Sequence, residues 1–190
     1  IVWKAPDGEK TKNFTDYESC LEFFISKGVH RKSHLLAIGG GATSDFAGFV
    51  ASTLLRGIDW SIIPTSLLSQ VDAAIGGKVA INSSQAKNLV GSFHLPKNVW
   101  INTKFLETLP ELELKSGKGE ILKYAFLDKE IFNLVNDEHV NVLDAIEACA
   151  NYKVSVTEDD LEESGRRKIL NLGHSFGHAL ERIYNLCHGE

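Results

Sequence analysis

Residues 34–55 read HLLAIGGGATSDFAGFVASTLL: a short apolar run, three glycines, then apolar residues at a longer period. His34 to Ile38 has the length and composition of a buried strand, and Asp45 to Leu55 repeats its apolar side chains at helical spacing. A second strand is expected over Asp59–Ile63, ending at Pro64. Strand, helix and strand in succession predict a largely parallel, Rossmann-like α/β sheet. Towards the N-terminus, Thr15 followed by Glu18 reads as a capping box for a helix that carries Tyr17, Leu21, Phe24 and Ile25 and closes at Gly28. Towards the C-terminus, a short helix is expected from Thr65 to Ala74, and Val99-Trp100-Ile101 reads as a further strand.

Beyond Thr108 the pattern changes. Glu111–Leu127, Ile131–Val135, Val142–Val156 and Ile169–Tyr184 all carry the helical period, and no strand is expected among them. The reading is an α/β domain over residues 1–108 and an all-α domain over 109–190, with the boundary near Thr108–Pro110. No internal repeat or low-complexity segment interrupts either part.

Composition sets the limits. The 190 residues are 43% hydrophobic and 24% charged, which suits a globular protein with a sizeable core. A net charge of −5 with no basic tract argues against a nucleic-acid partner. No run of about 18 or more apolar residues suggests a membrane span, and the first ten residues lack a secretory leader's pattern. Three widely spaced cysteines argue against a disulfide framework and for a reducing cytoplasm. Cys187 beside His188 could join a metal site, but buried thiols are the simpler reading. A chain that opens on Ile1 and contains no methionine is expected to be part of a longer one.

Four strings carry chemistry. Gly39-Gly40-Gly41 precedes a helix, where glycine lets a phosphate approach the backbone and the helix N-terminus offers free N–H groups; a plain strand-to-helix turn fits equally well. DAAIGGKVAINSSQAKN (72–88) puts Lys78 after two glycines and Lys87 beside Asn88, suited to phosphate or carboxylate oxygens or simply a solvated loop. Arg56, in LLRG, is either an anion contact or a helix C-terminal cation. In GEILKY (119–124), Glu120 and Lys123 share a helix face, as a surface ion pair would. ESGRRKILNLGHSFGH (163–178) places His174 and His178 four apart, a metal-binding spacing, with His188 following: three of the chain's seven histidines within fifteen residues. Glycines 173 and 177 weaken that helix and make most sense where something approaches its backbone.

Taken together these strings resemble the 3-dehydroquinate synthase family of the shikimate pathway. The resemblance runs from Gly8-Glu9 to His188-Gly189-Glu190 through GGGATSDFAGF, LLRG, PTSLLSQVDAAIGGKVAIN, KNLVGSF, TLP, GEILKY and NLGHSFGHALE, in the family's order. It implies a cytoplasmic lyase of aromatic amino-acid and chorismate biosynthesis, with NAD and a divalent metal, usually zinc with cobalt as substitute. NAD contacts are implied at Glu9, Lys12, Gly40, Gly41 and Asp45, and at Thr65, Ser66, Asp72, Lys87 and Thr108. The metal ligands become Glu120, His174 and His188, so His178, which spacing alone pairs with His174, moves to the substrate side. Substrate contacts are implied at Arg56, Lys78, Asn88 and Lys123, and at Lys153, Arg167, Asn171 and His178, with Lys78, Lys123, Glu163, Arg167, Asn171 and His178 as the catalytic group.

The implied substrate is 3-deoxy-D-arabino-heptulosonate 7-phosphate, a small phosphorylated sugar acid. It is converted to 3-dehydroquinate and phosphate by transient oxidation, elimination, re-reduction and intramolecular aldol closure. The complete protein would be a homodimer. Ser44 and Ser66 are mild departures from the family pattern. The larger one is length, since the family carries further segments on both sides, which puts activity of this chain by itself in question. Rival readings are a sister cyclase making an inosose or valiolone, a metal-dependent polyol dehydrogenase, and an inactive fragment. Arg167, Asn171 and His178 favour the dehydroquinate pattern, and the lysine cluster is unnecessary for a neutral polyol.

Overall fold

The computed structural model describes residues 1–137 and 139–184, apart from the side chains of residues 178 and 182. Two units emerge: residues Ile1–Pro64 with Gly77–Ile101, and residues Thr65–Gly76 with Asn102–Glu190.

The first unit is built around the predicted strand–helix–strand run. Strand β1 (His34–Gly39) pairs in parallel with β2 (Asp59–Pro64), in register from His34 opposite Asp59 to Gly39 opposite Pro64. Helix α2 (Gly41–Thr53), which follows α1 (Phe14–Ser26), joins them and buries Phe46, Phe49, Val50 and Ala51. Gly48 is required there: a Cβ at that position would collide with Val79 and the Trp60 ring. An antiparallel hairpin, β3 (Lys78–Ile81) and β4 (Val90–Phe93), packs on the same helix. Strand β5 (Asn98–Val99) adds to β2 in parallel, giving the order β1-β2-β5. The Trp60 indole, 1% exposed, donates to the His94 carbonyl at 3.2 Å and satisfies its one polar atom in the core.

Three local readings change. Asn13, not Thr15, caps α1: its side-chain oxygen accepts from the Asp16 N–H at 2.9 Å, and the helix starts at Phe14, two residues earlier than a Thr15 cap places it. Helix α2 begins at Gly41 rather than Asp45, so two of the three glycines sit at its N-cap and first position; its far end breaks into left-handed Leu55 and Arg56 (φ 53° and 68°). The stretch read as a glycine–lysine loop contains β3, whose Val79, Ala80 and Ile81 are all buried.

The second unit is helical. The short helix expected over Thr65–Ala74 opens with an α-type bond from the Gln70 N–H to the Ser66 carbonyl at 3.0 Å and widens into a π turn over Ser69–Ala73, with the Ala74 N–H donating to the Ser69 carbonyl at 3.1 Å. It packs against α3 (Glu111–Leu127) and α5 (Val142–Glu158), and α4 (Lys129–Val135) connects those two. Gly117 of α3 admits Leu67, since any Cβ would strike that side chain. Asp128 caps α4 through the Glu130 and Ile131 N–H groups, and Asn141 caps α5 through that of Leu143. The last expected helix is two: a 3-10 stretch over Arg166–Asn171 and α6 (His174–Tyr184), parted at Gly173, whose φ of +78° ends helical continuity. No strand lies beyond residue 108 among the described residues.

Thr65–Gly76 clusters with the helices because its π turn is buried on α3 and α5.

Candidate active site

In the α/β unit the chemistry converges on Lys12, whose side chain is 2% exposed. Its ammonium donates to Asp45 Oδ2 at 2.6 Å and to Asn88 Oδ1, and Glu9 Oε1 lies 3.6 Å away. Glu9 Oε1 also accepts from Asn82 Nδ2 at 2.8 Å, and Asn82 Oδ1 accepts from the Asn88 N–H at 2.9 Å. That last bond supports Asn88 in a left-handed conformation (φ 58°) that asparagine tolerates better than most residues. The Asn82 N–H donates to the Lys12 carbonyl at 2.8 Å, tying the end of β3 to the lysine's own backbone. Gly40 caps α2 without any side-chain hydrogen bond. A glycine N-cap offers the first amides of α2 no side-chain partner, an arrangement compatible with an anion at a helix start.

In the helical unit the centre is a carboxylate. Asp72, on the π turn, accepts from the Tyr124 hydroxyl at 2.6 Å and pairs with Lys153 at 2.9 Å and Lys123 at 3.8 Å. Lys153 also donates to the Asp72 carbonyl at 2.7 Å. Burial opposes the charge on Asp72. Lys153, then Lys123, and the hydrogen bonds from Tyr124 and Lys153 more than offset it, and hold the carboxyl well below the usual carboxylate range. The same burial, joined by the Asp72 charge, pushes the Tyr124 hydroxyl far up, so it stays a donor. Burial pulls Lys153 below the ordinary lysine value, with Asp72 as the main counterweight.

Lys123 extends the network. It ion-pairs with Glu120 Oε2 one turn back on α3, and its ammonium lies 4.8 Å from the Tyr124 ring centroid. Glu120 is 3% exposed, and its Oε1 is 3.9 Å from His174 Nε2 on α6. On the other side of that imidazole, Nδ1 is 3.4 Å from the Leu172 carbonyl. A proton on Nδ1 would bond that carbonyl and leave the Nε2 lone pair towards Glu120. Among the described residues no group of three or more His, Cys, Asp or Glu side chains could hold a metal ion. His188, the third expected ligand, and the His178 side chain lie outside the described residues.

Arg167 is 1% exposed, and its guanidinium donates to the Gly76 carbonyl at 2.8 Å and the Leu161 carbonyl at 2.5 Å. Burial lowers its pKa from the ordinary arginine value, with Asp72 and Asp160 opposing. Gly76 (φ +91°) makes room for it, because a Cβ there would lie 2.8 Å from Nη2. Glu163 Oε2 lies 3.8 Å from Arg167 Nε, and Glu163 Oε1 accepts from Asn171 Nδ2 at 2.5 Å.

The structure thus gathers Glu9, Lys12, Asp45 and Asn88 in one cluster, although the resemblance divides them between cofactor and substrate. Gly40 and Gly41 stand at the head of α2, while Arg56, Lys78 and Lys87 are exposed. In the helical unit the half-buried Asp72 joins the buried Lys123, Lys153 and Glu120 in one network, with His174 3.9 Å from Glu120, and Arg167, Glu163 and Asn171 form a second group. Ser66 is buried with its hydroxyl accepting from the Ser69 N–H at 3.3 Å; Thr65 is half-buried, and Thr108 is exposed at the end of a 3-10 turn. Sequence reasoning missed Asn82, Tyr124 and Asp160. Tyr124 had a legible signal, since it stands one turn after Glu120 and beside Lys123; Asn82 and Asp160 act by folding-dependent contacts that spacing does not encode.

A family model described as 3-dehydroquinate synthase N-terminal matches residues 2–116, and one described as 3-dehydroquinate synthase C-terminal matches residues 117–190. The chain is 48% identical over 191 residues to the 3-dehydroquinate synthase of Pyrococcus abyssi, covering 97% of this chain and 57% of that protein. It also superposes on a 2-deoxy-scyllo-inosose synthase complexed with carbaglucose-6-phosphate, NAD+ and Co2+ (TM-score 0.83, 28% identity, 96% of this chain and 54% of that one). A third likeness is to the 2-epi-5-epi-valiolone synthase of Streptomyces hygroscopicus with NAD+ and Zn2+ bound (TM-score 0.82, 28% identity, 96% of this chain and 55% of that one). The chain spans about half the length of these relatives.

Proposed function

We propose, because the chain belongs to the 3-dehydroquinate synthase family, that the protein it is part of converts 3-deoxy-D-arabino-heptulosonate 7-phosphate to 3-dehydroquinate and phosphate. The observation that carries this reading is Glu120, a buried carboxylate paired with Lys123 through one oxygen and facing His174 through the other. A carboxylate oxygen and an imidazole nitrogen facing each other at 3.9 Å are the donor types that would hold a divalent ion, and His188 would be the third ligand in this proposal. For NAD, the uncapped start of α2 suits a diphosphate, and Lys12, Asp45 and Glu9 offer charged and polar contacts. When bound, NAD supplies a transient hydride acceptor and the metal a Lewis acid, which together allow an elimination with no net redox change.

The chain's own residues do the rest. Lys123, Lys153, Arg167 and Asn171 meet the substrate's phosphate and carboxylate, with Arg56, Lys78, Asn88 and His178 as further contacts. Asp72 fixes both lysines where neither can swing away, at 2.9 and 3.8 Å. Glu163 orients Asn171 by accepting from its amide at 2.5 Å. Zinc as the resident metal, a homodimeric assembly and a cytoplasmic location belong to the same proposal.

The test uses the complete protein with the heptulosonate phosphate, NAD and zinc or cobalt, following phosphate and dehydroquinate together. Equal release of both, lost in Glu120→Ala along with metal binding, is the expected result. Turnover of a hexose phosphate lacking the carboxylate, in preference to the sugar acid, would move the assignment to an inosose-type cyclase. The 48% identity to a dehydroquinate synthase, against 28% to the inosose and valiolone enzymes, favours the sugar acid.

A further inference from the structure

Asp159 and Asp160 are neighbours with different work. Asp159 Oδ2 lies 3.4 Å from Arg166 Nη1, with both side chains mostly in solvent. The Asp160 carboxylate accepts four hydrogen bonds. Oδ1 takes the Ser164 N–H at 2.8 Å and the Ser164 hydroxyl at 3.1 Å, and Oδ2 takes the Gly165 N–H at 2.7 Å and the Arg167 N–H at 3.0 Å. One side chain thereby determines the course of the loop from 160 to 167.

The loop needs such an anchor. Glu163 is left-handed (φ 57°), a conformation that glutamate adopts only when its surroundings impose it. What the loop delivers is Arg167. Asp160 holds its backbone N–H, while the Leu161 carbonyl, one residue after Asp160, holds its guanidinium at 2.5 Å. The strained Glu163 in turn places one oxygen on Asn171 and the other 3.8 Å from Arg167 Nε. The backbone donors, Arg167 N–H foremost, draw the Asp160 carboxyl down to about 2, so it is ionised in any working buffer.

We propose that Asp160 is a positioning residue that sets the Arg167, Glu163 and Asn171 geometry by ordering the 160–167 loop, without touching substrate itself. Its consequence for turnover rests on the reading of Arg167 and Asn171 as substrate contacts; its consequence for Arg167 does not. The experiment therefore reads both. In the complete protein, Asp160→Asn keeps the volume but removes one accepting oxygen, and Asp159→Asn serves as control.

The expected result for Asp160→Asn is a KM for the sugar-acid phosphate raised about ten-fold with kcat within about three-fold, and an Arg167 Nε–H that exchanges with solvent about ten-fold faster by nuclear magnetic resonance. Asp159→Asn is expected to match wild type in both. Combined with Arg167→Lys, Asp160→Asn is expected to add little further, because both act on one contact. Unchanged exchange and KM in Asp160→Asn, or equal losses in kcat and kcat/KM with no change in exchange, would overturn the proposal. If Asp160→Asn does not fold, Ser164→Ala decides: it removes one of the four bonds and is expected to raise KM and exchange about two-fold, and wild-type values for both overturn the proposal. If wild type turns over some other substrate, the reaction assignment fails while the exchange comparison still judges Asp160.

Discussion

Two of the ionic centres among the described residues, one in each unit, have opposite polarity. In the α/β unit a buried cation, Lys12, is surrounded by acceptors; in the helical unit an anion, Asp72, is surrounded by donors. Their partners differ in a way that matters more. Around Lys12 the acids remain in reach of water, with side-chain exposures of 22% for Asp45 and 42% for Glu9. Around Asp72 the lysines are nearly closed off, at 8% and 9%. Exposed partners can be rehydrated when the central ion is lost, but enclosed ones cannot. The first centre therefore tolerates loss of its central ion, and the second holds its cations in place.

The largest test of this difference is Asp72→Ala. It leaves Lys123 and Lys153 with less compensation for their burial, and a loss of about 3 kcal/mol in unfolding free energy is expected from denaturant titration. Lys12→Met should cost less, about 1–2 kcal/mol, because Asp45 and Glu9 can turn to solvent. A loss as large as that of Asp72→Ala would break the contrast. Tyr124→Phe removes one donor to Asp72 with little change of shape and is expected to cost about 1 kcal/mol.

Acid gives a finer comparison. The folded pKa of Asp72 is depressed, so the stability it contributes is present above the unfolded value near 3.9 and is lost as pH falls towards the lower folded value. Denaturant titrations from pH 6 to pH 3 should show the helical unit losing stability below about pH 4, and Asp72→Ala should flatten that slope. The smallest effect concerns the thiols. Cys20 in the first unit and Cys149 in the second are both buried, and burial pushes each up to about 12, with Asp72 adding to the effect at Cys149. Neither should be alkylated at neutral pH while folded. In rising denaturant, peptide mapping of the first thiol to react tells which unit opens first.

The sequence made some of this legible for specific reasons. Asp59–Ile63 announces itself because a strand buried within an α/β sheet is a short, continuous apolar run, whereas His34–Ile38, legible by the same pattern, forms a strand that leaves Leu36 and Ile38 exposed at 49% and 58% rather than buried. The helix expected over Glu111–Leu127 matches α3 at both ends, where Pro110 precedes it and Asp128 stops it by capping the next one. The β3–β4 hairpin was hidden, since Val79, Ala80 and Ile81 are all buried and show no alternation, while Val90-Gly91-Ser92-Phe93 is weakly apolar. The break at Gly173 was hidden for another reason. Glycine is tolerated inside helices, and only the observed φ of +78° distinguishes an interruption from a weak point.

By itself the sequence determined the family, the parallel α/β start, the helical remainder and the set of chemistry-bearing side chains, because these depend on residue type and on periods within a few turns of chain. Tertiary structure decided which of them meet. Lys153 reaches Asp72 across 81 positions, Tyr124 across 52, and Arg167 reaches Gly76 across 91. Hydrogen bonds at such separations depend on how the π turn, α3, α5 and the 160–167 loop pack, and no local pattern encodes that packing.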